Sequence, residues 1–140
     1  MSGDKEQQKI NMQELNLTYA KTIIVDSDEK NVSFIKDILV SCGAKCDTAL
    51  SAEEALNLVD LNNSYDIYFI KMELPGMEGI ILTKIVKSKE NNPDDVSVIM
   101  YSASGGITDA EMKKASVDKF LSMPLSVSAI IDSIKSCLYI

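Results

Sequence analysis

From Lys21 onward the apolar residues fall into two alternating kinds of run. Short blocks rich in β-branched and aromatic residues, KTIIVD, YDIYFI and VSVIMYS, read as strands. The stretches between them place apolar residues three or four apart, as helices do. In NVSFIKDILVSCG these are Val32, Phe34, Ile35, Ile38 and Leu39, ahead of a glycine stop. A weaker strand, AKCDTAL, precedes SAEEALNLVDLNN, where Ser51 and Glu54 form a capping-box signature ahead of Ala55, Leu58, Val59 and Leu61. The helix GIILTKIVKSKE, a polar break at NNPDD, the helix TDAEMKKAS, the strand DKFLS and the helix SVSAIIDSIKSCL complete the series. Five strands, each followed by a helix, predict an α/β domain whose parallel sheet is covered on both faces. The unbroken apolar IIV, IYFI and VIM suit strands buried on both sides, and the stripes Ile80, Leu82, Ile85, Val86 and Ile130, Ile131, Ile134, Leu138 read as core. Ligands of such sheets bind beyond the carboxyl ends of the strands, so the residues after each strand carry the chemistry.

Composition narrows the choice. With 140 residues and 46% hydrophobic content, one ordinary core is expected, spanning residues 21–140. Residues 1–20 are polar and read as a disordered or marginally helical tail, or as the linker of a larger chain. A net charge of −7 without a Lys/Arg cluster argues against direct nucleic-acid binding. No apolar run approaches the length of a spanning helix, and the first residues are too polar for a secretion signal, so a cytoplasmic protein without membrane contact is expected. Histidine is absent, which removes histidine triads and histidine-ligated metals. Cys42, Cys46 and Cys137 lack the C-x-x-C spacing of a zinc site or the even number of a disulfide framework. Buried, inert thiols are the plain reading, with a redox or structural role for Cys42 and Cys46 as a rival.

The strand ends hold a specific set. Asp26, Ser27 and Asp28 follow the first strand; Lys71, Met72 and Glu73 the third; Ser102 and Ala103 the fourth; Met123 and Pro124 the fifth. In order and spacing, VDSDE, DIYFIKMELPGMEG, MYSAS and FLSMPL resemble the receiver domain of two-component response regulators, over roughly residues 20–140. The resemblance implies a flavodoxin-like (CheY-like) doubly wound sheet of order 2-1-3-4-5 and a role in phosphorelay signalling. It implies an acidic pair for Mg²⁺ after strand one, a phosphoacceptor aspartate after strand three, a Ser or Thr after strand four, and Lys-Pro after strand five. Asp26 matches the first acid, and Ser27 replaces the second. Lys71 stands at the phosphoacceptor position, Ser102 keeps the hydroxyl, and Met123 replaces the lysine before Pro124. Phe120 falls where the family often carries a switching aromatic.

These replacements point to a degenerate receiver. A protonated lysine has no lone pair with which to attack phosphorus, and Mg²⁺ needs oxygen ligands that Ser27 and Lys71 supply poorly. No cofactor, no metal and no enzymatic turnover are therefore expected. Lys71 is expected to lie against Asp26 and neutralise it, an attraction of about 4 kcal/mol at ~4 Å before desolvation. Met123 reads either as the removal of a second, repelling ammonium or as a flexible filler. Asp28 and Glu73 are alternative acids, read more simply as a helix-starting acid and a solvated acid at the rim. Ser27, Ser102 and Ser104 read as turn and capping groups. The expected function is protein-protein interaction with a histidine kinase or another signalling protein, as a monomer or weak homodimer, with the receiver segment of a hybrid sensor kinase as one setting. The rival within the family is a phosphoacceptor using a displaced acid, recognisable by a carboxylate other than Asp26 within hydrogen-bond reach of Ser102.

Overall fold

The computed structural model describes residues 15–62 and 64–138. The strands are β1 (Lys21–Val25), β2 (Lys45–Ala49), β3 (Ile67–Lys71), β4 (Ser97–Ser102) and β5 (Lys119–Ser122). The helices are α1 (Glu29–Ser41), α2 (Ala52–Asn62), α3 (Gly79–Ser88), α4 (Asp109–Ala115) and α5 (Val127–Leu138). The strands pair in parallel, as the sequence pattern predicts, and in the order β2-β1-β3-β4-β5 that the family resemblance implies. The polar break before β4 is a short 3-10 turn, Pro93–Asp95, capped by the Asn92 side chain. Among the described residues, no helix is long and apolar enough to cross a membrane.

Alternation along the strands divides the core between the two faces of the sheet. Ile24, Ile67, Phe69, Ile99 and Tyr101 meet α1 and α5 through Ile35, Leu39, Ile130 and Ile134. Ile23, Val25, Tyr68, Ile70 and Val98 meet α2 and α3 through Ala55, Val59, Leu82 and Val86. Met100 continues that second face with Ala115 and Val117 beneath α4. Phe34 and Leu61, which match the helical spacing, are exposed instead. The remaining apolar positions of α1 and α2 are sufficient to cover the sheet.

Caps set several helix starts. Asp28 is the N-cap of α1 and accepts from the Lys30 N–H, consistent with its simpler reading. The Ser51 hydroxyl accepts from the Glu54 N–H at 3.1 Å, one half of the expected capping box. A complete box, Thr108 with Glu111, starts α4.

The start of the packed body differs from the expected Lys21. Leu15, Leu17 and Ala20 are buried as part of the first core, and the Leu17 N–H donates to the Cys42 carbonyl just beyond α1 at 2.8 Å. Two leucines in a polar stretch are too few for a periodicity signal, yet each fills a place in the first core. The rest of the expected tail, residues 1–14, lies outside the described residues.

Candidate functional site

The carboxyl ends of β1, β3 and β4 are brought together by register. Val25 pairs with Ile70, so Asp26 and Lys71 come next at neighbouring strand ends, and Lys71 pairs with Tyr101. Asp26 is fully buried. A buried carboxylate requires donors, and this one has three: the Asp28 N–H on Oδ1 at 2.9 Å, the Asn31 amide on Oδ2 at 2.9 Å and the Tyr101 hydroxyl on Oδ2 at 2.7 Å. Burial, reinforced by the Asp26 charge and the hydrogen bond to it, pushes the Tyr101 phenol far above its ordinary pKa. The pair therefore consists of a neutral phenol and an acceptor.

This arrangement corrects the expected Lys71–Asp26 contact. Among the described residues, ion pairs within 4 Å are Lys87–Asp118 and Lys89–Asp60, and Lys71 takes part in neither. The reason lies on β4. Tyr101 belongs to the α1/α5 face, and its side chain reaches across β3 to the end of β1, where the phenol occupies the carboxylate. Tyr101 is completely buried. A tyrosine inside an apolar strand looks like core, and nothing local marks a hydroxyl partner 75 residues away.

Lys71 is half-buried, and its charge acts on Glu73. The β3–α3 turn that carries both is held tightly: the Met72 N–H donates to the Tyr101 carbonyl and the Gly79 N–H to the Met72 carbonyl, both at 2.8 Å. Pro75 is followed by Gly76 at φ +79°, as a type II turn requires. Glu73 is exposed as a residue, but it is more than a solvated rim acid. Its Oε2 accepts from the Ser102 hydroxyl at 2.5 Å and from the Ser104 hydroxyl at 2.8 Å. Burial alone would raise the Glu73 pKa, but these hydroxyls, a backbone N–H and the Lys71 charge outweigh it and hold the carboxyl below the usual range.

Ser27 is exposed. Met123 is half-buried against the first core and its N–H donates to the Ser102 carbonyl at 2.9 Å, which favours its reading as a filler. The Met123–Pro124 peptide is cis, and Pro124 is exposed. Phe120 is half-buried against Met100, Ala115 and Val117. Burial raises all three thiols, so Cys42, Cys46 and Cys137 are poorly disposed to react at neutral pH.

A divalent cation does not fit these residues. Both oxygens of Asp26 already accept hydrogen bonds from neutral donors, and a lysine, Lys71, stands at the end of β3.

The comparisons agree with the fold. The family model described as "Response regulator receiver domain" matches residues 22–135. The response regulator DivK of Brucella ovis is 28% identical over 117 residues, covering 83% of this chain and 94% of DivK. Hybrid signal transduction histidine kinase L of Dictyostelium discoideum is 24% identical over 120 residues, covering 82% of this chain but 7% of the kinase. The chain thus spans a small part of that relative. The solved receiver domain of Francisella response regulator 1452 superposes with a TM-score of 0.70 at 29% identity, over 84% of this chain and 96% of that one.

Proposed function

Since this chain belongs to the response regulator receiver domain family, we propose that it is a cytoplasmic protein-interaction module of two-component signalling that accepts no phosphoryl group. The observation that carries this reading is the state of Asp26, saturated by Tyr101, Asn31 and Asp28 beside a strand end occupied by Lys71. An acyl phosphate needs a carboxylate nucleophile and a cation to offset the charge of the transferring group. The ammonium of Lys71 is no nucleophile while protonated, and the acid that would hold the cation is engaged elsewhere. Output then passes through contacts with a histidine kinase or another signalling protein, without turnover of its own. A monomer or weak homodimer suits that role, and the net charge of −7 disfavours nucleic acid.

Incubation with acetyl phosphate and Mg²⁺ is expected to leave the intact mass unchanged. A phosphoryl adduct on the folded chain overturns the proposal.

One observation favours a second reading. Glu73 meets the criterion for a displaced acid, since its carboxylate lies 2.5 Å from the Ser102 hydroxyl. Its lowered basicity and its two hydroxyl donors reduce its nucleophilicity, which is why it ranks second. An adduct present in the wild type and absent in Glu73→Gln establishes this reading in place of the first.

A further inference from the structure

Ser102, the last residue of β4, and Ser104 just beyond it hydrogen-bond a single Glu73 carboxylate oxygen, and Lys71 ends the neighbouring β3. The Ser104 N–H donates to Ser102 Oγ at 3.1 Å, and the Ser102 hydroxyl donates in turn to Glu73 Oε2. The Ser104 hydroxyl donates to the same oxygen. Two donors on one oxygen, the first polarised by the N–H behind it, form a relay that strengthens each bond and favours a negative acceptor. Lys71 adds a positive charge that acts on the same carboxylate. A merely solvated acid would need none of these partners.

We infer that Ser102, Ser104 and Lys71 form a pocket for a small oxyanion, and that the Glu73 carboxylate is its tethered occupant, holding the β4–α4 loop in one conformation without any added group. The inference deepens the proposed function, in that no phosphoryl group is needed to set this loop. Glu73 is well placed for the task because its backbone lies in the β3–α3 turn, fixed to β4 by the Met72 N–H bond to Tyr101. The side that holds and the side that is held thus belong to different elements. The conformation reaches the surface as well: a Cβ on Gly106 would stand 3.7 Å from the Phe120 ring, so the loop passes directly over that aromatic. A partner reading the loop and Phe120 meets a surface set by Glu73.

The test uses the ¹⁵N-labelled chain with neither phosphodonor nor Mg²⁺, so that its outcome is separate from that of the mass measurement. In Glu73→Ala, the amides of Ser102–Ile107 are expected to shift, and the Ser104 N–H, whose acceptor Ser102 loses its own bond to the carboxylate, to exchange with solvent about tenfold faster. Amides of β1 and α1 serve as the folding control. Acetate titrated into Glu73→Ala is expected to return the loop resonances towards wild type along a saturating curve. Adding Lys71→Met to that variant is expected to abolish the return. Glu73→Gln, which keeps an acceptor without the charge, is expected to fall between wild type and Glu73→Ala. The inference is overturned by an unshifted loop in Glu73→Ala or by Glu73→Gln matching wild type. An acetate response that does not saturate, or that persists without Lys71, overturns it equally.

Discussion

The Tyr101 hydroxyl donates to Asp26 Oδ2 at 2.7 Å, both residues being fully buried and separated by the whole width of β3. This bond binds the end of β4 to the end of β1 and uses the acid that the family resemblance assigned to a metal. Tyr101→Phe leaves the ring in place and removes one of the three donors on Asp26. The expected loss is about 1–3 kcal/mol, the cost of under-satisfying a buried charged group. The midpoint of urea unfolding measures it, and an unchanged midpoint contradicts the role given to the phenol.

Alkaline pH is expected to destabilise the fold through three buried tyrosines. Burial and the neighbouring Asp26 raise the Tyr101 phenol, burial and the hydrogen bond to Asp47 raise Tyr65, and burial raises Tyr68. A raised folded-state pKa contributes stability that is fully present below the unfolded value of about 10 and is lost progressively above it. Stability measured against pH should therefore fall from about pH 10 upward. Tyr65→Phe should reduce that slope, and an identical slope in the variant contradicts the assignment.

Lys87 is a buried cation far from the candidate site. Its ammonium donates to the Val96 carbonyl at 2.7 Å, to the Pro93 carbonyl at 3.2 Å and to Asp118 at 3.0 Å, tying α3 to the starts of β4 and β5. Lys87→Met retains the aliphatic stem and removes these bonds. Because Asp118 keeps the Val98 N–H and is partly exposed, the expected loss is moderate, roughly 1.5–3 kcal/mol. Thermal unfolding monitored by circular dichroism checks the value.

Gly79 opens α3 hard against the end of β3. A Cβ there would stand 2.6 Å from the Lys71 carbonyl oxygen and 3.0 Å from Ile70 Cγ2. Gly79→Ala must push the turn away from the strand end, at an expected cost of about 1–3 kcal/mol. The same displacement should shift the Lys71 and Met72 amide resonances, and an unperturbed spectrum would show that the turn has room to spare.

The α/β class and the five strand-helix units were legible in the sequence, because periodicity records which side chains face the core. The residue types at Ser27, Lys71 and Met123 could also be read there, since the identity of a residue at a strand end needs no coordinates. Partnership could not. Lys71 and Asp26 are neighbours by register and opposite in charge, and electrostatics alone pairs them; Tyr101, hidden in the apolar run VIMYS, takes the acid instead. Glu73 looked like a solvated acid, and only the folded turn brings it to Ser102 and Ser104, 29 and 31 residues away. Leu15 and Leu17 show the same limit at the domain edge. Side-chain periodicity is a local property of the chain, whereas the identity of the donor that meets a given oxygen is decided by strand order, register and turn geometry.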